Sequence, residues 1–183
     1  MKNQKLLVAL VAVLAAVIAL AAVLYNRLGS KTDPDNLGSS QSAEEQVQVP
    51  DITLYNADGT TVQLSEFFGS PIVLNFWASW CGPCQNEMPD FEEMYKELGD
   101  EVHFIMLNST DGDRETVESA SAFIAEKGYS FPVYYDVGLK ASRTYGAVSL
   151  PMTFFIDANG YASAYAPGAI DRETLVQAIE MIR

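Results

Sequence analysis

The residues of this sequence best suited to covalent chemistry are its two cysteines, Cys81 and Cys84. An apolar strand-like run precedes them and a segment with helical periodicity follows, so we expect Cys81 to open a helix. Backbone N–H groups and the positive end of the helix dipole stabilise a thiolate there and lower its pKa. A cysteine three residues further on can form a disulfide with the first, or release a mixed disulfide from it. The spacing therefore indicates thiol–disulfide exchange, with Cys81 as nucleophile and Cys84 as resolving cysteine.

Two other uses of the cysteines fit the sequence less well. A purely structural disulfide across so short a loop would restrict the unfolded chain little and add little stability. Zinc needs three or four protein ligands, and beyond the cysteines the one soft ligand is His103, in an apolar segment where a packed histidine is expected. The sequence thus predicts no metal site, and no cofactor other than a redox-active Cys81–Cys84 disulfide.

The segments on either side of the cysteines must position them. Residues 72–78 form a compact apolar run, IVLNFWA, typical of a strand buried on both faces. Residues 84–98 carry apolar side chains at spacings of three and four, which predicts an amphipathic helix that ends before Gly99. Those side chains are Met88, Phe91, Met94, Tyr95 and Leu98.

The rest of the sequence after Pro50 alternates between strand and helix patterns. Further strands are predicted at residues 52–55, 61–64, 102–108, 131–135, 153–156 and 161–165. Further helices are predicted at residues 65–68, 113–127, 139–145 and 171–182. This order predicts an α/β fold with a central mixed sheet flanked by helices. The first two strands form an N-terminal β-hairpin, and the last two supply an antiparallel edge.

The composition limits the classes of partner. The chain has 24 acidic and 11 basic residues and a net charge of −13. Such a charge repels phosphate backbones and anionic membrane surfaces, which argues against nucleic-acid binding. Hydrophobic residues make up 49% of the chain, enough for one packed core in the part after Pro50.

The N-terminal segment has a different character. Residues 6–25 form an uninterrupted apolar run of about 20 residues, the length that crosses roughly 30 Å of hydrocarbon as a helix. Lys2 and Lys5 precede the run and acidic residues soon follow it, which favours a cytoplasmic N-terminus. A cleaved signal peptide is the alternative, but its apolar core is usually about 7–15 residues long.

These patterns divide the chain into three parts. Residues 1–28 are predicted to be a cytoplasmic stub and a transmembrane signal-anchor. Residues 29–49 are rich in Gly, Ser, Asp, Gln and Glu, the composition of a flexible polar linker. Residues 50–183 are predicted to form the single folded domain, which places that domain outside the cytoplasm on the cell membrane.

Several motifs of this domain resemble those of one superfamily. The run Trp80-Cys81-Gly82-Pro83-Cys84, preceded by Asn75-Phe76-Trp77-Ala78, resembles the active-site segment of thioredoxins, and most closely that of the membrane-anchored TlpA/ResA-like branch. The segment Leu150-Pro151-Met152-Thr153-Phe154 resembles the cis-proline loop of the same proteins. The resemblance covers residues 49–183. It implies a thioredoxin-like fold with an N-terminal β-hairpin and a central inserted helix and strand.

The resemblance also implies which residues surround the cysteines. Those expected to shape the substrate site are Trp80, Gly82, Pro83, Leu150 and Pro151. Trp80 is expected to be a partly exposed contact surface, whereas Trp77 packs in the core. A cis peptide bond before Pro151 would let the backbone of Leu150 face an extended substrate beside the cysteines.

Two departures from cytoplasmic thioredoxins concern proton transfer. Asn75 stands where those proteins bury an aspartate, and Met106 where they pair it with a lysine, so that proton relay is absent. Asparagine at this position is usual in the TlpA/ResA-like branch. Glu87, one turn after Cys84, is the nearest carboxylate: it either perturbs the pKa of a cysteine or is a structural residue of the helix.

Spacing and resemblance together lead to one main functional hypothesis. We expect a membrane-held, extracytoplasmic thiol–disulfide oxidoreductase that reduces disulfides in exported proteins and draws electrons from a membrane thiol donor. Within the branch, the targets include the haem-attachment cysteines of apocytochromes c. The Gly82-Pro83 dipeptide matches that of thioredoxin, a reductant at about −270 mV, which favours reduction. A disulfide-forming oxidant, a peroxidase-like redoxin and a non-redox binding module are the alternatives.

Overall fold

A seven-stranded mixed sheet forms the centre of the domain in the computed structural model, which describes residues 48–183. Its strands are β1 (Thr53–Tyr55), β2 (Thr61–Gln63), β3 (Ile72–Trp77), β4 (His103–Asn108), β5 (Val133–Tyr135), β6 (Met152–Ile156) and β7 (Ala162–Pro167). They lie in the order β2-β1-β5-β4-β3-β6-β7. The pairs β3–β4 and β4–β5 are parallel, and the other pairs are antiparallel. The predicted mixed sheet is confirmed, with the N-terminal hairpin at one edge and the C-terminal hairpin at the other.

Helices pack on both faces of this sheet. Within the described residues they are α1 (Gly82–Leu98), α2 (Val117–Lys127), α3 (Lys140–Tyr145), α4 (Arg172–Glu180) and the 3-10 helix Leu64–Phe67. Side chains of α1, α2 and α4 join the hydrophobic core on one face, and those of α3 and the 3-10 helix join the core on the other. The fold is therefore the predicted α/β sandwich.

Strand β3 is the central element that leads to the cysteines. All six of its residues are buried, as expected of a strand covered on both faces. Because side chains alternate along a strand, Val73 and Trp77 enter the core beneath α1, whereas Leu74 and Phe76 enter the opposite core. Asn75 lies on the same face of β3 as Val73 and Trp77, so its side-chain amide lies in the core beneath α1.

The helix ends agree with the prediction to within about two residues, except at the start of α2. Helix α1 begins at Gly82 with Cys81 as its N-cap and Pro83 in its first turn, so the prediction that Cys81 opens a helix is confirmed. Helix α2 begins at Val117 rather than near residue 113. Its N-cap is Thr116, whose hydroxyl accepts a hydrogen bond from the Ser119 N–H at 3.1 Å. The residues before Thr116 form a loop instead.

The N-terminal predictions fall largely on residues that the structure does not describe. The signal-anchor at 1–28 lies outside the described residues, as does the linker at 29–49 up to residue 47. Gln48 forms a β-bridge with Tyr161, and the Val49 N–H donates to the Gly160 carbonyl at 2.8 Å. Between residues 48 and 183, no helix combines the length and apolar character needed to cross a membrane.

Candidate active site

Cys81 and Cys84 lie at the N-terminus of α1 and are joined by a disulfide, with their Cα atoms 5.3 Å apart. Cys81 is the N-cap residue, and its Sγ accepts a hydrogen bond from the Cys84 N–H at 3.2 Å. Cys84 is fully buried, whereas Cys81 retains 4% of its surface. Of the two cysteines, Cys81 is therefore the one that keeps some exposed surface. Its sulfur accepts a hydrogen bond from one of the N–H groups that would stabilise a thiolate.

The residues next to the cysteines form an exposed rim. Trp80 has 42% of its surface exposed, and the guanidinium carbon of Arg114 lies 3.5 Å from the centroid of its ring. Gly82 and Pro83 are exposed as well. Trp77 is fully buried and packs against Phe123. Trp77 is therefore a core residue and Trp80 is partly exposed, as expected, whereas a contact between Trp80 and a substrate stays a prediction.

The loop before β6 comes to the same end of the sheet as the cysteines. The Leu150–Pro151 peptide bond is cis, as expected. Strand β6 pairs antiparallel with β3, so that Met152 lies opposite Phe76, five residues before Cys81. The loop thereby faces the segment that carries the disulfide, although it is about seventy residues away along the chain.

A cavity of about 320 Å³ opens beside this loop. Most of its wall is apolar and comes from Trp80, Leu139, Ala147, Val148 and Leu150, with Arg143 and Asp111 at its polar side. Val148 is 90% exposed. A cavity of this size and lining is large enough for an apolar side chain.

A buried polar cluster lies within the core beneath α1. The amide Nδ2 of Asn75 donates to Glu87 Oε1 at 2.8 Å and to Thr153 Oγ1 at 2.9 Å. The second oxygen of Glu87 accepts a hydrogen bond from the Ile170 N–H at 3.0 Å. All three side chains are almost completely buried. The two polar residues that the sequence singled out separately are therefore direct partners.

Burial raises the pKa of Glu87 to about 7, and the nearby charge of Asp90 adds to the increase. The hydrogen bonds from the Ile170 N–H and the Asn75 amide act in the opposite direction. Asn75 Oδ1 is buried without a partner. Because a protonated carboxyl is a donor, a half-turn of the Asn75 amide would present Oδ1 to it, so the cluster suits both protonation states. Glu87 can thus exchange a proton near neutral pH.

One residue considered from the sequence lies away from the cysteines, and two groups at the site were not predicted. His103 is at the start of β4, opposite Ile72, at the end of β3 away from the cysteines. It packs edge-on against Phe67 at 5.2 Å, as a packed histidine should. Thr153 and the backbone of Ile170 were missed as partners of Glu87 and Asn75. The register of β6 against β3, which sets Thr153 opposite Asn75, is the signal that would have found the threonine.

Similarity to known proteins agrees with this geometry. Residues 46–163 match the AhpC/TSA family. The chain is 29% identical over 185 residues to the thiol-disulfide oxidoreductase ResA of Bacillus cereus, which covers 100% of this chain and 99% of that protein. It is 32% identical over 158 residues to ResA of Oceanobacillus iheyensis, with 86% of this chain and 80% of the relative covered. The chain belongs to the thioredoxin-like AhpC/TSA family, in its ResA-like branch.

A solved structure extends this result to the fold. The thiol:disulfide interchange protein DsbE of Chlorobium tepidum superposes on this ResA-like chain with a TM-score of 0.68 and 30% identity, over 78% of this chain and 100% of the other. The resemblance inferred from the cysteine and proline motifs is therefore confirmed. This ResA-like protein is a thiol–disulfide oxidoreductase with a thioredoxin-like fold, and its substrates are proteins that contain disulfides.

Proposed function

We propose that this oxidoreductase reduces disulfides in exported proteins on the outer side of the cell membrane, with Cys81 as the nucleophile and Cys84 as the resolving cysteine. The observation that carries the assignment of roles is the asymmetry of the pair. Cys81 caps α1 and keeps some exposure, whereas Cys84 is enclosed. This difference in exposure supports Cys81 as the sulfur that meets a substrate disulfide and Cys84 as the sulfur that attacks Cys81 afterwards.

The reaction then proceeds in two exchanges. The Cys81 thiolate attacks one sulfur of the substrate disulfide, a new S–S bond forms between the proteins, and the released substrate thiolate takes up a proton. Cys84 loses its proton and attacks the Cys81 sulfur, which frees the second substrate thiol and closes the Cys81–Cys84 disulfide. Two electrons pass from the dithiol to the substrate. Glu87, one helical turn after Cys84, is the group we assign to accept the Cys84 proton, since its pKa of about 7 suits the task.

The rim and the cavity supply the contacts for a polypeptide. An extended segment beside the cis-proline loop would meet the Leu150 backbone and pass Trp80. An apolar side chain next to the substrate cysteine would enter the cavity between Trp80, Val148 and Leu150. Gly82 and Pro83 have no bulky side chain to obstruct this approach. Apocytochrome c polypeptides before haem attachment are one class of exported substrate for such a groove.

The location rests on the N-terminal sequence. Residues 6–25 are apolar and follow two lysines, and the similarity to ResA of Bacillus cereus extends over this part of the chain. The domain that follows would lie outside the cytoplasm, held by the N-terminal helix. Each turnover leaves the disulfide form, so a membrane thiol donor must restore the dithiol. No separate cofactor is needed, because the two sulfurs carry both electrons.

The test captures the substrate on the enzyme. Replacing Cys84→Ser removes the resolving thiol and keeps the attacking one, so mixed disulfides with substrates should accumulate in the cell envelope. Mass spectrometry of those complexes identifies the trapped proteins. Apocytochromes among them would indicate a role in cytochrome c biogenesis. A broad set of exported proteins would indicate general disulfide reduction, and a trapped membrane thiol protein would be the candidate electron donor.

The matched control is the double variant Cys81→Ser with Cys84→Ser, which should trap nothing. Complexes formed by Cys81→Ser but not by Cys84→Ser would reverse the two roles. If neither single variant traps any protein and the purified wild type reduces no disulfide, the proposed function is wrong and a non-redox binding role takes its place. Faster oxidation of reduced substrates than reduction of oxidised ones would make the protein an oxidant.

A further inference from the structure

A second buried carboxylate lies beside the cysteine segment, on the loop between β4 and α2. Glu115 has no exposed surface. Its Oε1 accepts hydrogen bonds from the Ser79 N–H at 2.8 Å and from Asn108 Nδ2 at 2.6 Å, and its Oε2 accepts one from the Ser79 hydroxyl at 2.7 Å. Three donors thus converge on one carboxylate, and two of them belong to the residue two positions before Cys81.

Ser79 is held from the other side as well. Its carbonyl accepts a hydrogen bond from Gln85 Nε2 at 2.6 Å, and Gln85 lies in the first turns of α1. Every polar group of Ser79 therefore has a partner: Glu115 takes the N–H and the hydroxyl, and Gln85 takes the carbonyl. The chain Asn108, Glu115, Ser79 and Gln85 connects the end of β4 to the helix that carries the cysteines.

The loop that bears Glu115 is itself tied down. The Asp111 carboxylate accepts hydrogen bonds from the Asp113 and Glu115 N–H groups at 2.8 and 2.9 Å, and the Gly112 N–H donates to the Glu115 carbonyl at 3.0 Å. The neighbouring residue Arg114 covers the ring of Trp80 at 3.5 Å. The same loop therefore contacts two consecutive residues before Cys81: Glu115 accepts hydrogen bonds from Ser79, and Arg114 makes a cation–π contact with Trp80.

No ion pair to Glu115 is present among the described residues. Burial of a carboxylate without a cation is unfavourable unless hydrogen bonds compensate for it. Two of the three hydrogen bonds that compensate for the burial of Glu115 are donated by Ser79, which lies immediately before the redox motif. The benefit of this arrangement is a fixed conformation of residues 79–81.

We propose that Glu115 is a positioning residue of the redox site, which holds Ser79 and thereby presents Trp80 beside the Cys81–Cys84 pair for a protein substrate. It does not touch the reacting sulfurs. The inference rests on the proposed function in that the substrate is a polypeptide that contacts Trp80. What Glu115 supplies is hydrogen bonding and not charge, and this distinction can be tested.

The test compares Glu115→Ala with Glu115→Gln in the full-length protein in detergent. Glutamine can keep all three contacts, since its Oε1 accepts from the Ser79 N–H and Asn108 while its Nε2 donates to the Ser79 hydroxyl. With insulin as the disulfide probe and dithiothreitol as donor, Glu115→Ala should lower kcat/KM about tenfold or more, and Glu115→Gln should stay within about twofold of wild type. With the small disulfide 5,5′-dithiobis(2-nitrobenzoate), both should react with the Cys81–Cys84 dithiol within about twofold of wild type.

A spectroscopic readout follows the position of Trp80 directly. The chain has two tryptophans, and Trp77 is fully buried, so acrylamide quenching of the accessible fluorescence reports on Trp80. Quenching should increase in Glu115→Ala and remain at the wild-type level in Glu115→Gln. Ser79→Ala removes one contact only and should fall between them, which provides a milder variant if Glu115→Ala does not fold. Glu118→Ala, which removes an exposed acid of α2, is the control and should change nothing.

The outcomes separate this inference from the proposed function. Equal losses in Glu115→Gln and Glu115→Ala would show that charge is what matters and would overturn the positioning role. Wild-type kinetics and quenching in both Glu115→Ala and Ser79→Ala would overturn it too. If wild type reduces neither probe, the proposed function fails, whereas the quenching series still decides whether Glu115 positions Trp80.

Discussion

Single side chains in this protein acquire their chemical properties from what surrounds them. A glutamate on the surface of a helix is ionised at neutral pH. Glu87 sits instead among Asn75, Thr153 and the Ile170 backbone, and burial raises its pKa to about 7. A half-turn of the Asn75 amide would present its unpartnered Oδ1 to a protonated Glu87 as an acceptor. A carboxyl group with a pKa of about 7 therefore lies beside Asn75, and its part in proton transfer stays a prediction.

Replacing Glu87→Gln should alter the pH dependence of disulfide reduction. With Glu87 as acceptor of the Cys84 proton, the wild-type rate should rise as pH increases through about 7. The variant should lose that rise and reduce insulin several-fold more slowly at pH 8. The measurement is kcat between pH 5 and 9, with Glu93→Gln, an exposed acid of the same helix, as control. Identical profiles for wild type and Glu87→Gln would leave Glu87 with a structural role only.

The same substitution should change how stability depends on pH. Between the usual pKa of 4.5 and the value of about 7 in the folded protein, the folded state binds a proton that the unfolded state has lost. The free energy of unfolding therefore falls as pH rises through this window, by an amount on the order of 3 kcal/mol. Urea unfolding at pH 5 and pH 8 should show this decrease for wild type, and a smaller one for Glu87→Gln.

Elements of secondary structure set the position of the site through their ends. Strand β3 stops at Trp77 and α1 starts at Gly82, which leaves four residues to bring Cys81 to the helix N-terminus.

At their C-termini, α1 and α2 both stop at a glycine, but for different reasons. Gly128 adopts φ 71°, which side chains disfavour, whereas Gly99 has an ordinary φ of −61°. A Cβ at Gly99 would lie 2.6 Å from the Tyr95 carbonyl oxygen and 2.8 Å from its ring.

The two helix ends should respond differently to asparagine. Gly128→Ala is expected to cost about 1 kcal/mol of stability, and Gly128→Asn clearly less, because asparagine tolerates the left-handed conformation. At Gly99 the obstacle is the Cβ itself, so Gly99→Ala and Gly99→Asn should both cost about 1–3 kcal/mol. Urea unfolding of the four variants measures this. An asparagine at position 99 that is much better tolerated than alanine would contradict the steric explanation.

The whole molecule combines a strongly acidic chain with an apolar N-terminal run. The net charge of −13 keeps the domain away from anionic surfaces and nucleic acids. Attachment to a membrane would therefore depend on residues 6–25 and not on the surface of the domain. The polar residues after that run would give the domain room to reach different substrates.

A reporter fused after Arg183 should show the predicted topology. An alkaline phosphatase fusion should be active and a green fluorescent protein fusion exported by the same route should be dark, because the domain is predicted to lie outside the cytoplasm. Exchanging Lys2 and Lys5 for Glu should weaken this preference. The N-terminal sequence of the purified protein is the second measurement. A chain that begins near Tyr25 would show that the segment is cleaved.

Much of the site was predictable because its signals are local. The spacing of Cys81 and Cys84, the strand before them and the helix after them all lie within 27 consecutive residues, from Ile72 to Leu98. Hydrophobic periodicity reports on such segments directly. The start of α2 was placed too early, because acidic residues before Thr116 resemble a first helical turn. Asp111 instead uses its carboxylate to close a loop.

The sequence by itself thus predicted the cysteine pair and the order of strands and helices, because those signals lie close together in the chain. The cis-proline loop was predicted from the resemblance to thioredoxins. The tertiary structure alone decided the partners of the buried acids. Glu87 meets Ile170 at a separation of 83 residues, Asn75 meets Thr153 at 78, and Ser79 meets Glu115 at 36. Strand register and helix packing bring these groups together, and the burial that shifts a pKa exists only once the chain is folded.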